Sequence, residues 1–395
     1  MDLSTNDSVA RYFNTALASG QSALAEKMRA VVAHFSPGLM DLLNVRDDCP
    51  FLEPLLFAYA VDRDRRVPLE QLLFGYISDS QKPREIIVFA DENGVVEIPR
   101  VGYFRTGILN RSLRLRWGNG PADSLLTDGD EVVAHAYSAP LMLDGIGIEV
   151  CRHLNPLLSQ FFVDENGSKI DIDPSLNAGL HAENVRKALQ ILQACQPDYF
   201  SQIRMAVKRI VLYSSDRPYS FATLGAHGIA FLNVSTGTDE IFFVEDLVHQ
   251  CGHVLFSAMT LDPTDILQLA PTLPLAKISG EGKDTRDLYT TLHGVYTEAW
   301  MNLCLDNCCD LAVFSPRQRH ELMGRFALIL TRFGCDLRSL SYEGVFNQNG
   351  TMLLHWFIDI YRDIVSRRHE LLAPLNIQNQ PYCFRYENFV NANPP

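Results

Sequence analysis

"FFVEDLVHQCGHVLFSAM", residues 242–259, is an apolar run that carries two histidines, His249 and His253, four positions apart. On an α-helix, side chains four apart stack on one face with Cβ atoms about 5–6 Å from each other, so both imidazoles can reach one metal ion. The reading of this stretch organises the rest of the chain. Before it, "AHGIAFLNV" (226–234) reads as a strand, and "HAENVRKALQILQACQPDYFSQIRMAVKRIVLY" (181–213) as two helices broken near Pro197, then a strand. After it, Pro271, Pro274 and "GEGKD" (280–284) mark loops, and 286–314 is a long apolar helix interrupted at Gly294. "SPRQRHELMGRFALILTRF" and "MLLHWFIDIYRDIVSRRHELL" give further helices, and the tail from Asn376 reads as irregular.

Upstream the texture is mixed. Residues 7–45 read as helical, as does "PFLEPLLFAYAV". "EIIVFADENGVVEIP" (85–99) and "LLSQFFVDENGSKIDID" (157–173) read as hairpins turning at Asn-Gly. "SLRLRWGNG" and "DEVVAHAYSA" add strands. The expectation is an α+β chain: residues 1–178 a helical and β-hairpin region serving as a lid or substrate surface, residues 179–395 a mostly helical metal-binding region with a short sheet.

Composition narrows the function. The chain has 395 residues, 47% hydrophobic and 21% charged, with a formal net charge of −13. That balance argues against nucleic-acid binding by general electrostatic attraction, which needs clustered Lys and Arg on phosphates. No apolar stretch long enough to span a membrane is present. "MDLSTNDSVARYF" has no cationic stretch followed by an apolar run, so no signal peptide is expected. The nine irregularly spaced cysteines are then reduced thiols of a cytoplasmic protein. Cys304 and Cys308 of "CLDNCC" lie one helical turn apart in an apolar segment and read as buried small hydrophobes rather than as ligands.

A metal held by His249 and His253 needs further donors. His293 is the first choice for the third. Glu298, five residues on and about 140° around a regular helix, is its rival, as the carboxylate of a two-histidine, one-carboxylate site. Glu245, one turn before His249, is another candidate, set against a plain role as an acid near a helix start. The position after His249 decides the chemistry. HExxH metallopeptidases place there a glutamate that takes a proton from metal-bound water. Here it is Gln250, whose amide has no basicity near neutral pH but can orient a ligand by hydrogen bonds. Loss of a general base typically costs about 10²–10⁴-fold in rate. A metal chemistry without an adjacent base fits better, and oxygen activation at Fe(II) leads.

The succession "NVRKALQILQACQPDYFSQIRMAVKRIVLY", "AHGIAFLNV", "LVHQCGHVLFSAM" and "RDLYTTLHGVYTEAW" resembles the HExxH-motif proteins of peptide-natural-product gene clusters. Members of that family include iron/2-oxoglutarate-dependent β-hydroxylases of peptide side chains. The similarity spans about residues 180–315; the order of elements is specific, each motif alone is weak. The resemblance implies that His249, His253 and His293 bind Fe(II). It implies too that Arg286, seven residues before His293, pairs with a carboxylate of 2-oxoglutarate, with O₂ as co-reactant. Arginine suits that task because its fork binds carboxylates bidentately. From the residues alone, Arg286 reads first as a surface charge in the polar run "GEGKDTRD"; the resemblance brings the two readings level. Gln250 departs from the family's glutamate.

The expected function is therefore a non-haem iron, 2-oxoglutarate-dependent oxygenase acting on an amino acid, a peptide or a natural-product intermediate. The alternatives are a non-catalytic relative that binds a peptide or partner protein with a structural metal, and a zinc hydrolase with a displaced base. Other polar residues read as structural. His227 and His355 are expected in the core, and "SRRHE" (366–370) as a solvated helix end or a site for an acidic group. "DENG" is turn chemistry, and "TGTD" (236–239) lacks the Gly-Lys of a phosphate loop.

Overall fold

The computed structural model describes residues 3–280 and 284–395; the middle of the expected "GEGKD" loop lies outside the described residues. In chain order the first helices are α1 (Leu3–Phe35), α2 (Pro37–Met40), α3 (Pro54–Val61) and α4 (Leu69–Leu73). Strands follow: β1 (Glu85–Ala90), β2 (Val95–Ile98), β3 (Gly102–Thr106), β4 (Arg111–Arg116), β5 (Leu125–Asp128), β6 (Glu131–Val133), β7 (His135–Ser138) and β8 (Glu149–Val150). Then come α5 (Pro174–Cys195), α6 (Pro197–Ala206), β9 (Arg209–Tyr213), β10 (Ile229–Asn233) and α7 (Glu240–Met259). The remainder is helical: α8 (Leu275–Ser279), α9 (Leu288–Cys309), α10 (Pro316–Leu340), α11 (Gln348–Leu372) and α12 (Tyr386–Ala392). At 53% helix and 14% strand, with the strands in small sheets and the C-terminal half helical, the chain is α+β, as its patterning predicts.

Two compact units divide the chain, and they do not follow the expected break at 178/179. One comprises residues 1–20, 183–205 and 237–395; the other comprises 21–182 and 206–236. The second unit holds all three sheets, in the orders β1-β4-β5-β6, β2-β3-β7 and β10-β9-β8. The strands before the histidine helix, expected to form a short sheet of the C-terminal region, thus belong to this unit. The reason is pairing and charge. β9 runs parallel between β10 and β8, and its Arg209, 3% exposed, is ion-paired with Glu97, with Glu53 at 3.2 Å and with Glu149 at 3.7 Å. A guanidinium taken out of water needs such partners, and they lie upstream.

The "DENG" at 91–94 does make a turn, with Gly94 at φ 69°. Yet β1 and β2 do not form the expected ladder: β1 pairs with β4, and β2 with β3. Asp91 directs the split. Its Oδ1 accepts from the backbone N–H of Asn93 and Val95, and its Oδ2 meets His153, so the carboxylate reinforces a turn whose backbone bonds, Asp91 N–H to Val95 and Gly94 N–H to Asp91, go no further into a ladder. The second "DENG" turn is closed by a single bridge, Val163 to Lys169.

In the first unit no sheet forms among the described residues; helices pack about aromatic rings. Tyr199 stacks on Trp300 at 4.3 Å, and Phe13 meets Tyr296 at 5.4 Å and Trp356 at 5.5 Å. Local signals start the helices that matter for the site. Asp239 accepts from Ile241 N–H ahead of α7, Asp287 from Thr290 N–H ahead of α9, and Ser315 with Gln318 makes a capping box ahead of α10. Gly294 does not interrupt α9, contrary to expectation. A Cβ there would lie 3.5 Å from Asp336 Oδ2 of α10, so the glycine leaves room for a neighbouring carboxylate. The tail departs from expectation as well. It contains α12 and folds back through Asn376 with Asn393 and Asn379 with Asn388.

Candidate metal site

Helix α7 presents His249 and His253 on one face, with Nε2 atoms 3.1 Å apart. α9 lies antiparallel to it. A Cβ on Gly252 would come within 3.0 Å of Thr297, and the Phe256 ring lies 4.7 Å from that of His293. A close approach at Gly252 is therefore made, by α9 and by the Tyr199 hydroxyl of α6. It brings His293 Nδ1 to 3.1 Å from His253 Nδ1. The edges of Phe256 and Tyr289 hold the His293 ring, and Tyr289 is fixed by a 2.6 Å hydrogen bond with Thr260.

The three imidazoles form a row: His253 in the middle uses one nitrogen toward each neighbour. All three are half-buried. Each is pushed toward neutrality. His249 is lowered to about 4 by burial and then by the charge of Arg332; His253 to about 3 by burial and His249; His293 to about 3 by burial and His253. Neutral imidazole is the form that binds metals.

Gln250 is 2% exposed and sits between two partners. Its Nε2 donates to Asp246 Oδ1 at 3.2 Å and lies 3.2 Å from His249 Nδ1. With the amide so placed, one proton assignment runs through the row: His249 carries its proton on Nε2, His253 on Nδ1, and His293 on Nε2, which is buried without a partner. Asp246 explains the amide. It precedes Gln250 by one turn, and a glutamate at 250 would set two carboxyl groups against each other. Asp246 Oδ1 also lies 4.0 Å from His249 Nδ1, where a proton would reside once Nε2 held a metal.

Of the rival donors, Glu245 is engaged and Glu298 is buried with its carboxyl unpaired at one oxygen. Glu245 accepts from Arg325 at 2.9 Å. Glu298 is buried and its carboxyl is raised well above the usual range, by burial and then by Asp336; its Oε2 has no partner. Arg286 sits between two carboxylates: Nε and Nη2 bond Asp284, and Nη1 and Nη2 bond Asp336, at 2.8–3.1 Å. A third carboxylate would have to displace one of these.

Does a metal fit? Two imidazole nitrogens, each about 2.1 Å from one ion, are about 3.0–3.4 Å apart. The Nε2 atoms of His249 and His253 meet that spacing. His293 approaches His253 from its other nitrogen, and among the described residues no three His, Cys, Asp or Glu side chains converge on one point. The pair fits a metal, and the orphaned Nε2 of His293 is a further donor atom without a role.

Sequence reasoning overlooked Asp246, Phe256 and Tyr289, all within four residues of a site histidine or Gln250 on the same helix face. Asp336 and Arg332 had no local signal. His227 is buried with Gln21 as its partner, as expected, whereas His355 is exposed, against expectation. Arg367 and Arg368 of "SRRHE" bond Asp306, with Asp363 and Asp310 as further partners. Cys304 and Cys308 are buried free thiols, and among the described residues no helix is long and apolar enough to cross a membrane. No protein-family model matches the chain, and no curated protein matches it in sequence.

Proposed function

We propose that this chain holds a divalent transition metal between His249 and His253, with His293 packed on the far edge of the His253 ring. In the leading reading the metal is iron, in an oxygenase that uses 2-oxoglutarate and O₂ to oxidise an amino acid, a peptide or a related intermediate. The 3.1 Å spacing of the Nε2 atoms of two neutral imidazoles on one helix face carries the reading. When bound, iron would supply O₂ activation, with 2-oxoglutarate as the source of two electrons.

The chain's own residues have separate tasks. Asp246 faces His249 Nδ1, the nitrogen that carries the ring proton when Nε2 binds the metal, and Gln250 holds Asp246 by donating to its Oδ1. Phe256 and Tyr289 hold His293 and line its surroundings with apolar edges. Gln250 cannot act as a base, which separates this site from peptide hydrolysis.

The mutual hydrogen bonding of the row favours a second reading, in which the imidazoles satisfy one another inside a non-catalytic binding protein. The two are told apart by metal analysis after anaerobic purification, followed by iron loading and measurement of O₂ and 2-oxoglutarate consumption. The oxygenase reading expects one metal per chain, lost in His249→Ala and His253→Ala, and 2-oxoglutarate turnover. A protein that takes up no iron, cobalt or zinc leaves only the second.

A further inference from the structure

Two arginines beside the helices of the metal site are neutralised by paired carboxylates. Arg286 lies on Asp284 and Asp336; Arg325 lies on Glu245 and Glu321. Arg332 is different. Its Nη2 bonds the carbonyl oxygens of Pro381 and Tyr382, and its guanidinium lies 4.8 Å from the Tyr382 ring. Among the described residues it has no carboxylate partner within ion-pair distance. Carbonyls and a ring face satisfy a donor and stabilise a cation, but they do not cancel its charge.

Helix register sets Arg332 level with the histidines. α7 and α10 each run antiparallel to α9, hence parallel to one another, and Glu245 meets Arg325 at 2.9 Å. Seven residues further along each, two helical turns on the same face, are Gly252 and Arg332. Gly252 stands between His249 and His253. From the other side, Asp336, one turn beyond Arg332, abuts Gly294, the neighbour of His293. The electrostatic influence of Arg332 on both His249 and Glu298 agrees with this register.

We infer that Arg332, rather than Arg286, is the residue that receives the carboxylate of an acidic ligand at the histidine site. This rests on the proposed function, in which that ligand is 2-oxoglutarate. The approaching carboxylate exchanges for the tail carbonyls on one edge of the guanidinium and gains a charge-assisted, bidentate contact. Arg286 instead braces α9 against α10.

The test is anaerobic calorimetry of 2-oxoglutarate binding to cobalt-loaded full-length protein, with thermal unfolding and metal content measured alongside. Arg332→Gln is expected to weaken binding about 30-fold or more with cobalt content and Tm unchanged, and Arg332→Lys to recover part of the loss. Arg286→Gln is expected to lower Tm while binding stays within about threefold. Wild-type binding by Arg332→Gln, or selective loss of binding in a stably folded Arg286→Gln, overturns the assignment and leaves the oxygenase reading standing. Cobalt-loaded wild-type protein that binds no 2-oxoglutarate overturns both.

Discussion

At the scale of single residues, the identity of position 250 follows from its neighbour one turn back. Gln250 donates to Asp246, and a carboxylate in its place would add a second acid to a buried pair of acceptors. Gln250→Glu is therefore expected to lower stability at pH 8 by about 1–3 kcal/mol, the cost of an unsatisfied buried polar group. The deficit shrinks toward pH 5. The carboxyl pair binds a proton more tightly when folded than when unfolded, so stability is recovered as pH falls and lost as it rises. Urea midpoints at the two pH values check this; a variant equally stable at both would mean that the two groups do not meet. Gly252 gives a steric counterpart. Gly252→Val drives a side chain into Thr297 and the Tyr199 hydroxyl, costing about 1–3 kcal/mol by overpacking. Thr297→Ala in the same chain should return part of that loss, measured as a double-mutant cycle.

Between elements, the contacts that build the site are made where a side chain is missing. Gly20 of α1 faces α7, and a Cβ there would fall 1.9 Å from the carbonyl oxygen of Ala258. Alanine improves helix propensity by about 1 kcal/mol, yet backbone cannot move aside as a side-chain tip can. The clash wins, and Gly20→Ala is expected to be net destabilising by about 1–3 kcal/mol; an unchanged or raised guanidinium midpoint would contradict the packing. The helices themselves were legible because their signals are local: an apolar run, an acidic or hydroxyl N-cap, a proline just inside the start. The split of β1 and β2 into two sheets was not. A turn sequence tells the chain to reverse, whereas the choice of ladder partner depends on β4 and β3, which lie further along the chain.

Over the whole molecule, the sheet-bearing unit contains its own acid-sensitive group. His227, 2% exposed and accepting at Nε2 from the Gln21 amide, is pushed down to about 4 by burial and Lys208. Its folded value lies below the ordinary 6.5. Its contribution is whole above pH 6.5, declines as pH falls because the unfolded chain takes up the proton first, and stops changing below about pH 4. By pH 5 the loss is about 2 kcal/mol. His227→Gln should lose that much less between pH 7 and pH 5, read from the fluorescence of Trp117, the tryptophan of that unit. Equal losses in variant and wild type would show that the ring titrates normally.

The α+β class, the helices about the histidines, the i to i+4 pairing of His249 with His253 and the absence of a base at 250 are all properties of neighbours along the chain. Helical geometry alone turns spacing into position, so the sequence determined them. The interleaved units, the sheet to which β9 and β10 belong, the engagement of Arg286 with Asp284 and Asp336, and the level of Arg332 beside the histidines depend on residues tens to more than a hundred positions apart. Those contacts arise from packing and from the need to pair buried charge, and only the tertiary structure decided them.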